Sequence, residues 1–381
     1  MFQTKNGCQV YPASGFLCRA GIYFCTDFEF YEQEEPENRW GGGYRHRIAF
    51  YNVISPKNLL QAWNEFKRGK NRKSDVQKFA FCIEDNIFNL HKKLQNKTWV
   101  PDPYISFSVA DPKPRMIHKA SVRDRVLHQA VYRQLYPIFD EGFIHDSYAS
   151  RPGKGTLRGV LRFEQFARQV SNNYTRQIFV LKCDIRKFFD CIDHKILLSL
   201  LKQKVYDVDL LWLLTKLITS FEKTEGKGLP LGNVTSQLFS NVYLNDLDQY
   251  VKRGLKVHRY IRYCDDFVIV GVHFGKLDDL IPRVGKFLKE KLELDLHPDK
   301  ISIRTLEQCV DFLGYVTLPR YRVLRTRTKR RMFKRCILLF QRQTTEAEKE
   351  YAKRVLLSYK GLLSHSREYC SWKRLERLHE Q

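Results

Sequence analysis

At 381 residues with 43% hydrophobic side chains, the chain is long enough for two or three subdomains around a sizeable core and too apolar for a disordered polypeptide. A net charge of +24 and an isoelectric point near 9.6 raise the local concentration of polyanions, the usual footprint of nucleic-acid binding. No apolar run approaches the ~20 residues of a membrane span, and the N-terminus lacks the basic-then-apolar pattern of a secretion signal.

Residues 1–54 are aromatic, glycine-bearing and acidic around Glu29–Glu37, and they are set apart as a leader of unassigned role. Helix begins at Ser55-Pro56, an N-cap followed by proline in the first turn. Leu59, Leu60, Trp63 and Phe66, then Phe79, Ile83, Ile87, Leu90 and Leu94, keep helical spacing to residue 97. The basic run 67–74 between them reads either as a solvated loop or as a backbone contact. Residues 104–118 are extended, 122–139 helical. Pro152, Gly153 and Gly155 break the chain before a helix over 156–170. A strand over 177–183 leads to Asp184, and one long helix follows over 193–220. A glycine-bearing turn at 226–232 precedes a helix over 234–252. A hairpin over 257–272, a helix over 277–291, a short extended piece over 301–317 and a helical tail complete the chain. Strands with helices between them imply an α+β fold, not an all-parallel sheet.

Charge is uneven: residues 321–381 hold 17 Lys and Arg against 6 Asp and Glu, whereas 1–40 hold 3 against 6. The ten cysteines form no CxxC pair, which argues against a zinc knuckle and fits a reducing cytoplasm.

Two apolar runs end in carboxylate: 178–183 ends at Asp184, and Tyr263-Cys-Asp-Asp266 sits between Tyr260-Ile261 and the apolar run 267–270. Asp-Asp is also a common turn dipeptide, because Asp bonds its own backbone. A paired Asp on a tight hairpin beside a lone Asp on the neighbouring strand suits two divalent cations, which phosphodiester chemistry holds about 3.5–4 Å apart. Hard cations such as Mg²⁺ take such carboxylate oxygens.

Four motifs in order resemble a reverse transcriptase over roughly residues 55–365. They are Asp184-Ile-Arg-Lys-Phe-Phe-Asp-Cys-Ile-Asp193, Tyr263-Cys-Asp-Asp266, His297-Pro-Asp-Lys300 and Phe312-Leu-Gly-Tyr315. The resemblance implies a right-hand polymerase. Its fingers would span 55–170, its palm, with an antiparallel sheet and helices at 193–252, would span 171–320, and its short helical thumb 321–381. It implies that Asp184 and Asp265 bridge two Mg²⁺ or Mn²⁺ ions with Asp266 assisting, and that Lys300 protonates the leaving pyrophosphate; Lys300 otherwise reads as a surface lysine near a turn. Phe189 would be the gate against a ribose 2′-hydroxyl, with Phe188 or Phe189 itself in the core. Phe312, Leu313, Gly314 and Tyr315 would grip the primer. Cations for the triphosphate would come from Lys113 and Arg115, Arg123 and Arg125, or Arg151 and Lys154, with Arg151 and Arg125 foremost; Arg123 has Asp124 and Asp140 as alternative partners. Arg325, Arg327, Lys329, Arg330, Arg331 and Lys334 would hold the template–primer backbone. The implied partners are template RNA, a DNA or RNA primer and dNTPs.

One motif narrows the resemblance. Most retroelement enzymes carry Gln-Gly followed by Ser-Pro beside the templating base, whereas here Leu231-Gly232 is followed by Ser236-Gln237. That pattern is similar to reverse transcriptases of diversity-generating retroelements, which copy a template-repeat RNA with errors at adenines for mutagenic retrohoming. Leu231 and Gln237 are otherwise read as turn packing and helix surface. The segment 358–365 is similar to that group's thumb, and the short tail counts against a complete group II intron protein. The resemblance also implies a small accessory helical-bundle protein, which this basic surface would meet through RNA or a local acidic patch. Competing readings are a phage-defence or uncharacterised bacterial reverse transcriptase, and a non-catalytic RNA-binding relic.

Overall fold

The computed structural model describes residues 49–110, 114–341 and 345–380. Residues 1–48, most of the expected leader, and Lys113 lie outside the described residues. The end of that leader is part of the folded body: α1 (Phe50–Ile54) buries Phe50, Val53 and Ile54.

Ser55 caps α2 (Pro56–Phe66), its hydroxyl accepting from Asn58 N at 3.2 Å, with Pro56 at the position where a missing N–H costs nothing. The helical stretch continues as α3 (Ser74–Phe81) and α4 (Ile83–Gln95), and the basic run 67–73 is the turn before α3. Buried Asn58 donates to Val53 O and Ala130 O, tying α1 and α2 to α5 (Val122–Asp140). Before α5 comes an antiparallel hairpin, β1 (Ile105–Val109) and β2 (Arg115–Lys119). α6 (Thr156–Val170) follows.

The expected strand is β3 (Phe179–Asp184), followed by the short α7 (Phe188–Cys191). The single helix expected over 193–220 is two, α8 (His194–Lys202) and α9 (Val208–Ile218). Asp207 breaks it. Its carboxylate accepts from Asp209 N and Leu210 N as a new N-cap and also from Phe50 N at 2.8 Å, so the break docks α1. α10 (Val234–Gln249) ends in a π turn over Tyr250–Gly254. The hairpin β4 (Tyr260–Tyr263) and β5 (Asp266–Gly271) leads into α11 (Phe274–Asp278) and α12 (Leu280–Leu292).

The extended piece expected over 301–317 is two sheets' worth of strand. β6 (Ser302–Thr305) joins an antiparallel sheet of order β4-β5-β3-β6. β7 (Val310–Phe312), β8 (Tyr315–Leu318) and β9 (Tyr321–Leu324) form a second sheet. A boundary at residue 321 would cut the β8–β9 pairing, so the break falls after β9, before α13 (Thr326–Phe340). α14 (Glu346–Ser364) and α15 (Tyr369–Glu380) complete the helical tail.

Side-chain alternation gives the first sheet two faces. Leu181, Cys183, Tyr260, Phe267 and Ile269 enter the main core with Tyr243, Leu247 and Leu288. Val180, Ile261, Val268 and Val270 pack instead with Phe163 and Phe166 of α6 and Phe312 of β7. Strand parity puts Lys182, Asp184 and Asp266 on this second face, beyond its apolar part.

Candidate active site

β3 and β5 pair antiparallel with Asp184 directly opposite Asp266. Tyr263 pairs with Asp266 across β4 and β5, which leaves Cys264 and Asp265 as a two-residue turn. Ile185 N donates to Asp265 O at 3.1 Å, so the turn is fastened to the chain just after Asp184. The three acids thereby stand at one end of the sheet. Asp184 and Asp266 open on a cavity of about 410 Å³, lined also by Lys182, Lys300, Arg304 and Arg325.

Cations on the same face answer the acids. Lys300 Nζ lies 2.6 Å from Asp184 Oδ1, and Lys182 Nζ lies 3.5 Å from Asp266 Oδ2 while donating to Asp311 O at 2.7 Å. Burial, reinforced by the Asp184 charge, raises the pKa of Asp265. Burial pushes Asp266 up to about 6 against the pull of Lys182, with Asp184 and Asp265 adding to the rise. Clustered carboxylates that disfavour one another's ionisation are a site in want of positive charge.

The donor set fits a hard divalent cation. Asp266 Oδ1 is buried without a hydrogen-bond partner, an orphaned oxygen of the kind a metal would satisfy. The expected convergence is nevertheless incomplete: among the described residues no group of three or more His, Cys, Asp or Glu side chains forms a ready metal cage. The charges that face Asp184 and Asp266 here are those of Lys300 and Lys182.

The sequence profile described as reverse transcriptase (RNA-dependent DNA polymerase) matches residues 108–317, more than half of the chain and the whole of this site except Arg325. The chain belongs to the reverse transcriptase family. It is 25% identical over 241 residues to protein YkfC of Escherichia coli K12, covering 53% of this chain and 63% of that one. It is 22% identical over 305 residues to the group II intron-encoded protein LtrA of Lactococcus lactis subsp. cremoris, covering 61% and 49%. It is 23% identical over 328 residues to a putative COX1/OXI3 intron 2 protein of Saccharomyces cerevisiae, covering 68% and 37%. The chain thus spans between 37 and 63% of the length of these curated relatives. Among solved structures, a telomerase from Candida albicans in complex with a fragment of telomeric RNA aligns with a TM-score of 0.45 at 11% identity, over 74% of this chain and 60% of that one.

Around these acids, Phe188 is core, packed on Tyr243, and its neighbour Phe189 is half-buried. Leu229 N donates to Phe189 O at 2.8 Å, which brings the 229–232 turn to the backbone of Phe189. Leu231 O accepts from His118 N of β2. Gly232 has φ +125°, a conformation few other residues adopt, with His118 O and Ile117 3.5 Å from where a Cβ would stand. Gln237 sits half-buried on α10. Leu313 and Gly314, both with positive φ, make the tight β7–β8 turn that holds Phe312 and Tyr315 in the core. Leu313 reaches Gly159 of α6 so closely that a Cβ there would meet it at 2.9 Å.

Several expected nucleic-acid contacts are engaged elsewhere. Arg151 is buried, donating from Nε to Asp140 at 2.6 Å and from Nη1 to Ile144 O and Ser147 O. In this structure its guanidinium pins its own loop. Arg125 pairs with Asp75 at 2.8 Å over the Phe66 ring, in a cluster with Lys119. Arg123 takes Asp124 and Asp102, not Asp140. On the tail, Arg325 is paired with Asp311 and Lys329 with Glu368; the side chains of Arg327, Arg330, Arg331 and Lys334 are exposed to solvent. The motifs do not single out Lys182, although it stands two residues before Asp184 in a strand and so on the same face. Arg304, opposite Val180, is legible only from register.

Proposed function

We propose that this protein is an RNA-directed DNA polymerase acting by two-metal nucleotidyl transfer. The observation that carries this is the facing pair Asp184 and Asp266, with Asp265 on the intervening tight turn, at the mouth of a cation-lined cleft. Asp184, Asp265 and Asp266 would hold two Mg²⁺ or Mn²⁺ ions, which when bound activate the primer 3′-hydroxyl and neutralise charge on the triphosphate. Lys300, whose ammonium lies 2.6 Å from Asp184 Oδ1, would give a proton to the leaving pyrophosphate. Phe189 would be the gate against a ribose 2′-hydroxyl, selecting dNTPs. In this reading residues 55–170 are fingers, the β3–β6 sheet with α7 to α12 and the β7–β9 sheet is palm, and α13 to α15 are thumb, gripping template RNA and a DNA or RNA primer. Purified protein should extend a primer on an RNA template with dNTPs and Mg²⁺, and Asp265→Asn should not; extension by that variant at the parent rate would overturn the reading.

We assign the enzyme further to the diversity-generating type, on the Leu231-Gly232 turn beside Phe189, where Leu231 carries no side-chain amide to check the incoming nucleotide. Deep sequencing of cDNA should then show errors concentrated at template adenines. The likeness to YkfC, LtrA and the yeast intron protein favours a second reading, an intron-associated or other bacterial reverse transcriptase, and uniform accuracy across the four template bases would select it.

A further inference from the structure

The turn that presents Asp265 lacks a glycine where its backbone asks for one. Cys264 has φ +56°, the left-handed region that two-residue hairpin turns require and that Gly, Asn or Asp normally fills. A cysteine held there is strained and persists only if its surroundings over-determine it.

Those surroundings are a buried arginine. Arg262, two residues before Cys264, has no exposed surface. Its Nε and Nη2 grip the two oxygens of Asp248 at 2.7 and 2.6 Å. Its Nη1 donates to Cys264 O at 3.1 Å and to Asn241 Oδ1 at 3.2 Å. Each partner is itself held. Tyr260 donates its hydroxyl to Asp248 Oδ1 at 2.8 Å, and Asn241 donates to Ala149 O at 2.9 Å. The arginine backbone is fixed too: its N–H donates to Asp146 O, and its carbonyl accepts from Tyr148 N.

Cys264 O belongs to the peptide that leads into Asp265. The guanidinium therefore sets the entry to Asp265, while Ile185 N sets the exit by binding Asp265 O. A planar fork can hold a carboxylate with one edge and a carbonyl with another, which a lysine ammonium cannot do from one position. A buried ion pair is not needed for stability here, since well-packed apolar residues serve that end at least as well. What the pair adds is direction.

We infer that Arg262, backed by Asp248 and Asn241, is a positioning residue that holds the strained Cys264 peptide so that Asp265 stays beside Asp184. The inference rests on the polymerase reading above for its consequence in catalysis, but not for its geometry.

The test is a rescue. A glycine at position 264 adopts the left-handed conformation without strain, so it should no longer need the arginine. Arg262→Lys, Cys264→Gly, the two combined, and Asp265→Asn are compared with the parent for kcat and dNTP KM in primer extension, Mn²⁺ binding by electron paramagnetic resonance, and thermal midpoint. Arg262→Lys should lower kcat by roughly tenfold to a hundredfold, the scale of a small misplacement of a reacting group. It should weaken Mn²⁺ binding and leave KM near the parent value. Adding Cys264→Gly should restore most of kcat and Mn²⁺ binding but not the thermal midpoint. Loss that glycine does not repair, or that only tracks the folded fraction, overturns the inference. Should Arg262→Lys not fold, Asn241→Ala removes one neutral partner of the same nitrogen; it should give a smaller loss with the same rescue, and no loss, or none that glycine repairs, overturns the inference. If the parent extends no primer but its Mn²⁺ binding follows this pattern, the polymerase reading fails and the positioning role stands.

Discussion

The acid-bearing end of the first sheet and the outward face of α13 treat charge in opposite ways. On the sheet, Asp184, Asp265 and Asp266 are part-buried, Asp184 and Asp266 face Lys300 and Lys182 at fixed distances, and burial together with the Asp184 charge raises the pKa of Asp265 and Asp266. On α13, Arg327, Arg330, Arg331 and Lys334 are exposed to solvent. Low dielectric makes the first set all-or-none, since each charge removed there leaves another uncompensated. Water and salt make the second graded, with each cation adding a similar increment to polyanion binding. One region is suited to chemistry and the other to grip.

The largest effect should come from Asp265→Asn, which preserves size and removes charge. Primer extension should fall by several orders of magnitude while the circular dichroism melt stays near the parent. A mere few-fold loss would move the sheet acids into the graded class.

Arg151→Met tests whether burial or family position decides a cation's role. Cutting its bonds to Asp140 and two carbonyls should cost about 2–3 kcal/mol in urea unfolding, below the ~3–5 of a fully buried pair because Asp140 keeps some water. The dNTP KM of the folded fraction should not change. A raised KM with unchanged stability would return Arg151 to the triphosphate.

Acid titration separates buried from exposed charge in another way. His128 lies between Thr235 Oγ1 at 2.7 Å and Asn233 Nδ2 at 3.0 Å, and burial lowers its pKa to about 3. Below its ordinary value of 6.5 the unfolded chain binds a proton that the folded one refuses. Stability from this residue is therefore complete above pH 6.5 and is lost as pH falls toward 3, at up to about 1.4 kcal/mol per unit. Unfolding free energies from pH 7 to 5 should fall less steeply in His128→Gln than in the parent, while the surface arginines keep their charge throughout.

On α13, replacing Arg330 and Lys334 by Gln should weaken RNA binding equally for all sequences. It should flatten the slope of log K against log salt by about 0.7–0.9 for every phosphate that is no longer neutralised. Replacing Arg325 and Lys329, which are paired with Asp311 and Glu368, should lower the thermal midpoint and alter the slope less. Equal slopes for the two pairs would dissolve the distinction between paired and exposed cations. The smallest effect should be Leu231→Gln: one added hydrogen bond, worth ~1 kcal/mol, should lower misincorporation about fivefold, read by sequencing cDNA from one template.

Much of this was legible in the chain. Helix periodicity and the Ser55-Pro56 start located α2 and α4, and apolar runs ending in carboxylate located β3 and the β4–β5 turn. These are local signals, carried by spacing of 3.6 or 2 and by turn chemistry. The break at Asp207 was written in a residue that caps well, yet its anchoring by Phe50 N spans 157 positions of the chain. β9 was hidden in a basic stretch, because its identity as a strand comes from pairing with β8.

By itself, then, the sequence determined which residue types stand at the ends of which strands, with Asp184 closing one apolar run and Asp265 and Asp266 standing before another. Tertiary structure alone decided which cations face them. Strand parity puts Lys182 on the face of Asp184 and a motif singles out Lys300, yet neither these two nor Arg151 and Arg325 carry in the sequence the acid that each one meets. What distinguishes them is who lies opposite: Asp266, Asp184, Asp140 and Asp311 respectively. A cation's role is set by the charge it meets and by the water left around it, and both follow from packing between segments far apart in the chain.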